Sequence, residues 1–440
     1  MSDSTPATPR PTTTVKVALL GAGNVGAEVA RILLDHGTEM AARVGAPLEL
    51  AGIAVRDLAA RRTVELPEEL FTTDAEALID AADVVIELTG GIEPARSRIL
   101  RALHAGKPVI SGNKALIARH GRQLQDAADD AGVPLSYEAA VAGAIPIVRP
   151  MADSLAGDRV DRVLGIMNGT TNYILDQMDT TGAQFDDALA EAQRLGYAEA
   201  DPTADVEGHD AAAKAAILAS LAFHSTYTID DVYCRGITGV TAEDVAAAAE
   251  AGYVIKLLAV CERCAGGVNL RVTPTMIPRE HPLAGVHGAY NAVFVEAANA
   301  GSLMFYGAGA GGAPTASAVL GDFVSAARRL VLGAPAQGAE PHAQLPAVPL
   351  DDVRTSFSIT LTVQDRLGVL ARIAQVFADH GVSIHTMQQK DDPHGSTQRS
   401  EIRLVTHRGS NKDLVATVES LRELPFVEDV TGVIRVEHAD

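Results

Sequence analysis

A chain of 440 residues is too long for one hydrophobic core and should divide into two or three domains. Its formal net charge of −20 offers no cationic surface to neutralise nucleic-acid phosphates, and no apolar run reaches the roughly 18 residues of a membrane helix. The opening segment MSDSTPATPRPTTT lacks a signal peptide's apolar core, so a soluble cytoplasmic protein is expected, with a disordered lead-in over residues 1–14 and no nucleic-acid or membrane partner.

Val15–Leu20 is a short β-branched apolar run that ends in Gly21-Ala22-Gly23-Asn24-Val25-Gly26. A helical pattern through Val25, Val29, Ile32 and Leu33 follows, and His36-Gly37 is expected to close it, glycine being favoured at helix C-termini. Further strands are predicted at Leu48–Val55, Asp83–Leu88 and Pro108–Ile110, with helices at Ala75–Ala82, Pro94–Ala105 and His120–Ala131 between them. Strands alternating with helices imply right-handed βαβ units, so residues 15–150 are an α/β domain with a doubly wound parallel sheet.

Residues 151–332 change to an α+β pattern, with helices at Asp186–Leu195 and Asp210–His224 and strands at Val268–Met276 and Asn291–Ala298. Tyr253–Cys264 reads as a buried apolar helix, and Cys261 and Cys264 as packing residues within it, since no second ligand pair follows. The helix over about 314–332 should pack back on the first domain. The Pro/Ala/Gly-rich stretch from Gly333 reads as a loose linker over residues 333–352 that few contacts need cross. In the last unit, 353–440, Phe357, Ile359, Leu361 and Val363 alternate with Ser358, Thr360 and Thr362. A helix Gly368–His380, a strand Ser383–Gln389, a polar turn Asp391–Thr397, a strand Glu401–His407, a helix Lys412–Leu424 and a strand Val427–Val436 complete a βαββαβ ferredoxin-like sandwich.

Gly21-x-Gly23-x-x-Gly26 stands between a strand and a helix, where glycines let backbone N–H groups and a helix N-terminus approach a dinucleotide pyrophosphate. After the second strand come Arg56, which suits a 2′-phosphate, and Asp57, which suits a ribose hydroxyl. The choice between NADP and NAD is therefore open, with Arg56 tilting it to NADP. Farther on, Glu199, Asp201, Asp205, Glu207 and Asp210 crowd a Gly/Pro-containing loop that runs into a helix, and Lys214 lies one turn beyond Asp210 on the same face. Read without context, these are either an exposed ion pair in an acidic loop or an acid–base site; no compact metal-ligand spacing is present.

That segment, Ala192–Lys214, resembles the signature of homoserine dehydrogenases. So do Leu88-Thr89-Gly90-Gly91, Ser111-Gly112-Asn113-Lys114, Tyr137–Pro146, Asn168–Tyr173 and Gly307–Thr315, all in the family's order from about residue 15 to 330. With no kinase-like segment ahead, the likeness is to the monofunctional form. The resemblance implies a Rossmann-like first domain, a homodimer or homotetramer, and interconversion of L-homoserine and L-aspartate 4-semialdehyde. It also implies that Glu199 binds substrate, that Asp210 orients substrate and lysine, and that Lys114 lies near nicotinamide and substrate. The cofactor would meet Gly21, Gly23, Asn24, Val25, Gly26, Arg56, Thr89, Gly90, Lys114 and Gly312. Reducing an aldehyde leaves a developing alkoxide that needs a proton donor within reach; Lys214, partnered by Asp210, is the first choice and Lys114 the rival.

Backbone carbonyls of Glu138, Val141, Gly143 and Ile145 match the positions where this family holds a monovalent cation, sodium by expectation. The C-terminal unit resembles an ACT domain through Asp365-Arg366-Leu367-Gly368-Val369-Leu370-Ala371, although Leu367 replaces the usual proline. Asp365, Gly368, Val369 and Leu370 would then receive an amino-acid effector, L-threonine by expectation, at a helix N-terminus. A plain dimerisation module is the alternative. A sensor built on a dead dehydrogenase would have lost Lys114, Glu199, Asp210 or Lys214, and all four are present.

Overall fold

The structure, a computed structural model, describes residues 13–62, 64–336, 341–391 and 399–437. Most of the expected lead-in and nearly all of the predicted turn Asp391–Thr397 lie outside the described residues. The chain forms two compact units, residues 1–156 with 307–342, and residues 157–306 with 343–440. The C-terminal domain therefore belongs with the middle one.

The first unit is built from β1 (Val15–Leu20), α1 (Asn24–Val44), β2 (Leu48–Ala54), β3 (Phe71–Thr72), α2 (Ala75–Ala81), β4 (Val84–Glu87), α3 (Ala95–His104), β5 (Val109–Ser111), α4 (Lys114–Ala131) and β6 (Leu135–Ser136). The strands make a parallel sheet in the order β3-β2-β1-β4-β5-β6. The order reverses between β1 and β4, so a crevice for a ligand opens at Leu20 and Glu87, their C-terminal ends. The strands β3 and β6, two residues each, are too short to have shown a period in the sequence.

Helix α1 does not stop at Gly37. His36 departs from helical geometry (φ −121°, ψ 16°), but the helix resumes and ends at Gly45, whose φ is +90°. Packing overrides the glycine signal, because Met40 and Val44 extend the buried stripe begun by Val29 and Leu33. That stripe packs on Val319, Phe323, Ala326 and Ala327 of α10 (Gly312–Leu332), so the late helix returns to the first domain as expected.

The second unit contains β7 (Val160–Ile166), α5 (Gly169–Thr181), α6 (Phe185–Arg194), α7 (Thr203–Val206), α8 (His209–Ala222), β8 (Tyr233–Cys234), α9 (Ala242–Glu250), β9 (Tyr253–Cys264), β10 (Gly267–Pro278), β11 (Tyr290–Ala297) and β12 (Gly301–Ala308). Tyr253–Cys264 is thus a strand and not a helix. It is covered on both faces, so its apolar run carries no alternation to separate the two possibilities. Cys261 and Cys264 fall on opposite faces of β9, both free, with Cys261 buried against α8.

The remaining elements are β13 (Arg354–Gln364), α11 (Val369–Asp379), β14 (Ile384–Asp391), β15 (Arg399–Thr406), β16 (Gly409–Ser410), α12 (Asn411–Arg422) and β17 (Val427–Val436). They form the expected βαββαβ sandwich, whose core joins Phe357, Ile359, Leu361 and Val363 to Ile373, Phe377, Leu414 and Leu421. Its sheet is not separate. The order β12-β11-β7-β9-β10-β17-β13-β15-β14 runs unbroken, and the seam is β10 beside β17, pairing Thr275 with Arg435 and Met276 with Val436.

The expectation of a loose linker fails over its C-terminal part. Val268 donates to Pro346 O (3.0 Å), Val348 donates to Val268 O (2.8 Å), and the Tyr227 hydroxyl donates to Leu345 O (2.8 Å). At the end of β17, the Glu437 carboxylate lies between the guanidinium groups of Arg162 on β7 and Arg271 on β10, the latter at 2.9 Å. Among the described residues no helix is long and apolar enough to cross a membrane.

Candidate functional site

The fingerprint glycines are required by contact. Gly21 sits at φ +98°, and a Cβ there would come within 2.7 Å of Leu88 O; on Gly26 it would lie 2.1 Å from Gly21 O. At Gly23, which caps α1, nothing stands within 4 Å of that position, leaving room before the free N–H groups of Asn24 and Val25. A Cβ on Gly312 would fall 2.9 Å from Asn24 O, so the first turn of α10 abuts the first turn of α1. The two glycine loops thus share one place.

At the crevice, Thr89 donates its N–H (2.7 Å) and hydroxyl (2.5 Å) to Glu87 Oε1, while the Ser111 hydroxyl donates to Glu87 Oε2 (2.9 Å). Gly90 and Gly91 follow at φ +72° and +74°. Glu87 was missed by sequence reasoning, although a carboxylate closing an apolar strand was its signal; fully buried, it ties β4 to β5 behind the expected nicotinamide position. Arg56 is exposed past the end of β2, and the Asp57 carboxylate accepts Ala59 N–H at 2.9 Å. Lys114 opens α4 in an exposed position, beside Asn113, whose side chain caps the helix.

In the second unit, Gly208 (φ +83°) starts α8, which carries Asp210 in its first turn and Lys214 one turn later. Lys214 Nζ donates to Asp210 Oδ2 and to Met167 O, each at 2.7 Å, with both side chains buried. This overturns the reading of an exposed ion pair; the carboxylate supplies the counter-charge a buried ammonium needs. Asn168 Nδ2 donates to the same Asp210 oxygen (3.0 Å) and to Asp205 Oδ1 (2.7 Å). The Thr170 hydroxyl reaches Tyr197 O (2.7 Å) and Asp205 Oδ2 (3.2 Å). Asn168, Thr170 and Asp205 fall in segments noted in the sequence but were given no role there, because only the fold brings the start of α5 against the acidic loop. Glu199 lies exposed on the loop between α6 and α7.

The Glu138 carboxylate is consumed internally: it accepts the N–H groups of Ile147 (2.6 Å), Val148 (2.7 Å) and Arg149 (2.9 Å) and the Arg149 Nε (3.0 Å). What Glu138 can offer a cation is its backbone carbonyl, as for Val141, Gly143 and Ile145. Ala142 and Gly143 are consecutive left-handed residues (φ 56° and 58°), and a Cβ on Gly143 would meet Gly309 O at 2.4 Å. Burial lifts the neighbouring Asp322 carboxyl to about 7, against the pull of the Glu138 N–H and Arg149. Among the described residues no group of three or more His, Cys, Asp or Glu side chains could hold a metal ion.

In the C-terminal domain Gly368 caps α11 at φ +89° with open space where a Cβ would stand. Asp365 and Leu370 are exposed beside it, Val369 is buried, and Leu367 stands wholly in solvent.

Comparison with known proteins agrees with this arrangement. Residues 21–138 match the homoserine dehydrogenase NAD-binding domain, 146–324 the homoserine dehydrogenase family and 357–426 the ACT domain. Homoserine dehydrogenase of Corynebacterium glutamicum is 52% identical, over 97% of this chain and 96% of that one. The crystal structure of a homoserine dehydrogenase from Thiobacillus denitrificans superposes with a TM-score of 0.90 at 40% identity, covering 97% of this chain and 99% of that one. A hyperthermophilic archaeal homoserine dehydrogenase in complex with NADPH shares the fold (TM-score 0.59, 24% identity, 71% of this chain and 98% of that one).

Proposed function

The chain belongs to the homoserine dehydrogenase family, oxidoreductases acting on a CH–OH group, and from that premise we propose that it interconverts L-aspartate 4-semialdehyde and L-homoserine with NADPH or NADH. The observation that carries the reading is the buried Lys214–Asp210 pair. The nicotinamide, when bound, supplies the hydride that reduces the aldehyde carbon. Lys214 gives the matching proton to the carbonyl oxygen. An ammonium has three N–H donors, and Met167 O and Asp210 take two of them, which leaves one to point at substrate. In the oxidative direction the neutral amine takes the hydroxyl proton back. Asn168 fixes Asp210, so the lysine is held and not merely neutralised. Glu199, exposed on its loop, takes the substrate ammonium, and Lys114 serves the nicotinamide side.

The paired glycine loops with their two helix N-termini suit a pyrophosphate, and Arg56 favours NADP over NAD. Carbonyls of Glu138, Val141, Gly143 and Ile145 hold a monovalent cation, sodium, since uncharged oxygens suit a single charge. The ACT domain takes L-threonine at Asp365, Gly368, Val369 and Leu370 and lowers activity, which requires unequal affinity for two conformations. Work as a cytoplasmic homodimer or homotetramer belongs to the same reading. The decisive test is turnover of purified protein with L-homoserine and NADP, against L-serine and L-threonine as substrates. Reduction of NADP with homoserine alone is expected; absence of turnover with homoserine and both nicotinamide cofactors overturns the reading.

A further inference from the structure

The second face of the ACT sheet is not left to solvent. Ser358 and Thr360, the polar half of the alternation in β13, look toward helix α9 of the middle domain, and a cavity of about 160 Å³ lies between them. Its α9 wall is Asp244, Ala247, Ala248 and Ala251, one face of the helix at spacings of three and four. The sheet wall adds Thr386, Gln388, Arg403 and Ile434. We propose that this cleft is a second effector site, separate from the Gly368 turn, that takes a small α-amino acid with an uncharged side chain.

The chemistry of the walls is that of a zwitterion's two ends. Asp244 offers a carboxylate to an ammonium: its Oδ2 accepts from Thr241 N–H and hydroxyl, both at 3.1 Å, and its Oδ1 faces Gly432, where a Cβ would come within 2.5 Å. Burial raises the Asp244 carboxyl above its usual range; an ammonium beside it would offset that cost and favour the carboxylate. Arg403 offers the opposite end a guanidinium. Glu250 at 2.6 Å and Glu401 at 2.6 Å hold it in place while occupying only part of its five-donor fork. Between these ends stand hydroxyls, an amide, small alanines and the apolar Met276, Val405 and Ile434, with no further charged group to pair with a charged ligand side chain. The cleft also touches the catalytic unit's own scaffold. Helix α9 packs on α5, and α5 begins at Asn168, which holds Asp210.

The proposal rests on the reading of the C-terminal domain as an amino-acid sensor, and the test separates the two. Full-length Gly368→Asp protein, with the turn blocked, is titrated calorimetrically with L-threonine, L-valine, L-methionine and L-lysine. At least one neutral amino acid should bind, and L-lysine should not. In the same background Asp244→Asn should weaken that binding at least tenfold, and Thr360→Val severalfold. The asparagine oxygen can still accept the N–H of Thr241, the N-cap of α9, so thermal unfolding without ligand should stay put and show that the fold survives. Loss of all binding in Gly368→Asp alone, or unchanged affinity after Asp244→Asn, overturns the second site. Homoserine turnover without effector, measured alongside, reports on the dehydrogenase reading independently.

Discussion

Lys214 Nζ and Asp210 Oδ2 lie 2.7 Å apart, one helical turn from each other on α8, and both side chains are buried. The pair is geometrically suited to proton transfer because its third partner, Met167 O, fixes the ammonium's direction. Lys214→Ala should lower turnover about 100-fold or more, the scale of a lost general acid. Glu199→Ala should act mainly on the Michaelis constant for homoserine. Steady-state kinetics of both variants and of Lys114→Ala decide the matter: near-normal turnover in Lys214→Ala, with none in Lys114→Ala, would transfer the donor role to Lys114.

Asn168 bridges Asp205 and Asp210 through one amide group and also caps α5 through its Oδ1, which accepts Thr171 N–H at 2.9 Å. Asn168→Ser keeps a capping oxygen but removes the amide donor. Turnover should fall about tenfold as the lysine's orientation loosens. Because two carboxylates then face each other unbridged, the pH–rate profile should also shift. A variant with a wild-type profile and wild-type turnover would show that Asn168 is only a helix cap.

Arg56 is exposed past β2, and its proposed contact with a 2′-phosphate would distinguish the two cofactors. Arg56→Ala should raise the Michaelis constant for NADPH and leave that for NADH nearly unchanged, since only NADPH presents a 2′-phosphate to a guanidinium. Equal losses with both would show that the phosphate is read elsewhere.

Glu437 has a pH signature. Burial disfavours its charge, but Arg162 and Arg271 outweigh that and bring the carboxyl down to about 2 from a usual value of 4.5. Since it titrates lower in the folded chain than in the unfolded one, its stabilisation is complete above about pH 4.5 and vanishes as pH falls through about 2. Glu437→Gln should cost about 3 kcal/mol at pH 7. Denaturant midpoints of the two proteins should then converge toward pH 2. A gap independent of pH would mean that packing, not charge, is what Glu437 provides.

The same cluster forecasts the fate of a chain ended at Pro349. Without β17, the Thr275–Met276 end of β10 loses its strand neighbour, and Arg162 and Arg271 lose a buried partner. Such a chain should aggregate or unfold in size-exclusion chromatography. A monodisperse, active truncated enzyme would contradict the seam.

The parallel sheet was legible because Val15–Leu20 and Asp83–Leu88 are mainly apolar, β-branched runs that alternate with helical patterns. Tyr253–Cys264 shows the limit of that logic: covered on both faces, a strand loses the alternation that distinguishes it from a buried helix. Gly37 misled for a different reason, since the stripe through Met40 and Val44 outweighs one residue's local preference. In the site, Asp210 and Lys214 could be paired from spacing alone because both ride on one helix. Glu87, Asn168 and Asp205 could not, because their bonds join elements distant in sequence. The polar half of β13 was visible as alternation, but nothing in it indicated that a helix from another domain would cover that face.

The seam between β10 and β17 also imposes a timetable on synthesis. Glu437 follows Arg271 by 166 residues, which at 5–20 residues per second takes a ribosome roughly 8 to 33 s. Throughout that interval the Thr275–Met276 end of β10 has no strand beside it, and two arginines are short of a counter-ion. The nascent chain is at its most adhesive after its middle domain has emerged and before its regulatory domain has. A chaperone that shields strand edges should therefore dwell on it in that window, and substitutions that slow β17 would lower yield without touching the chemistry.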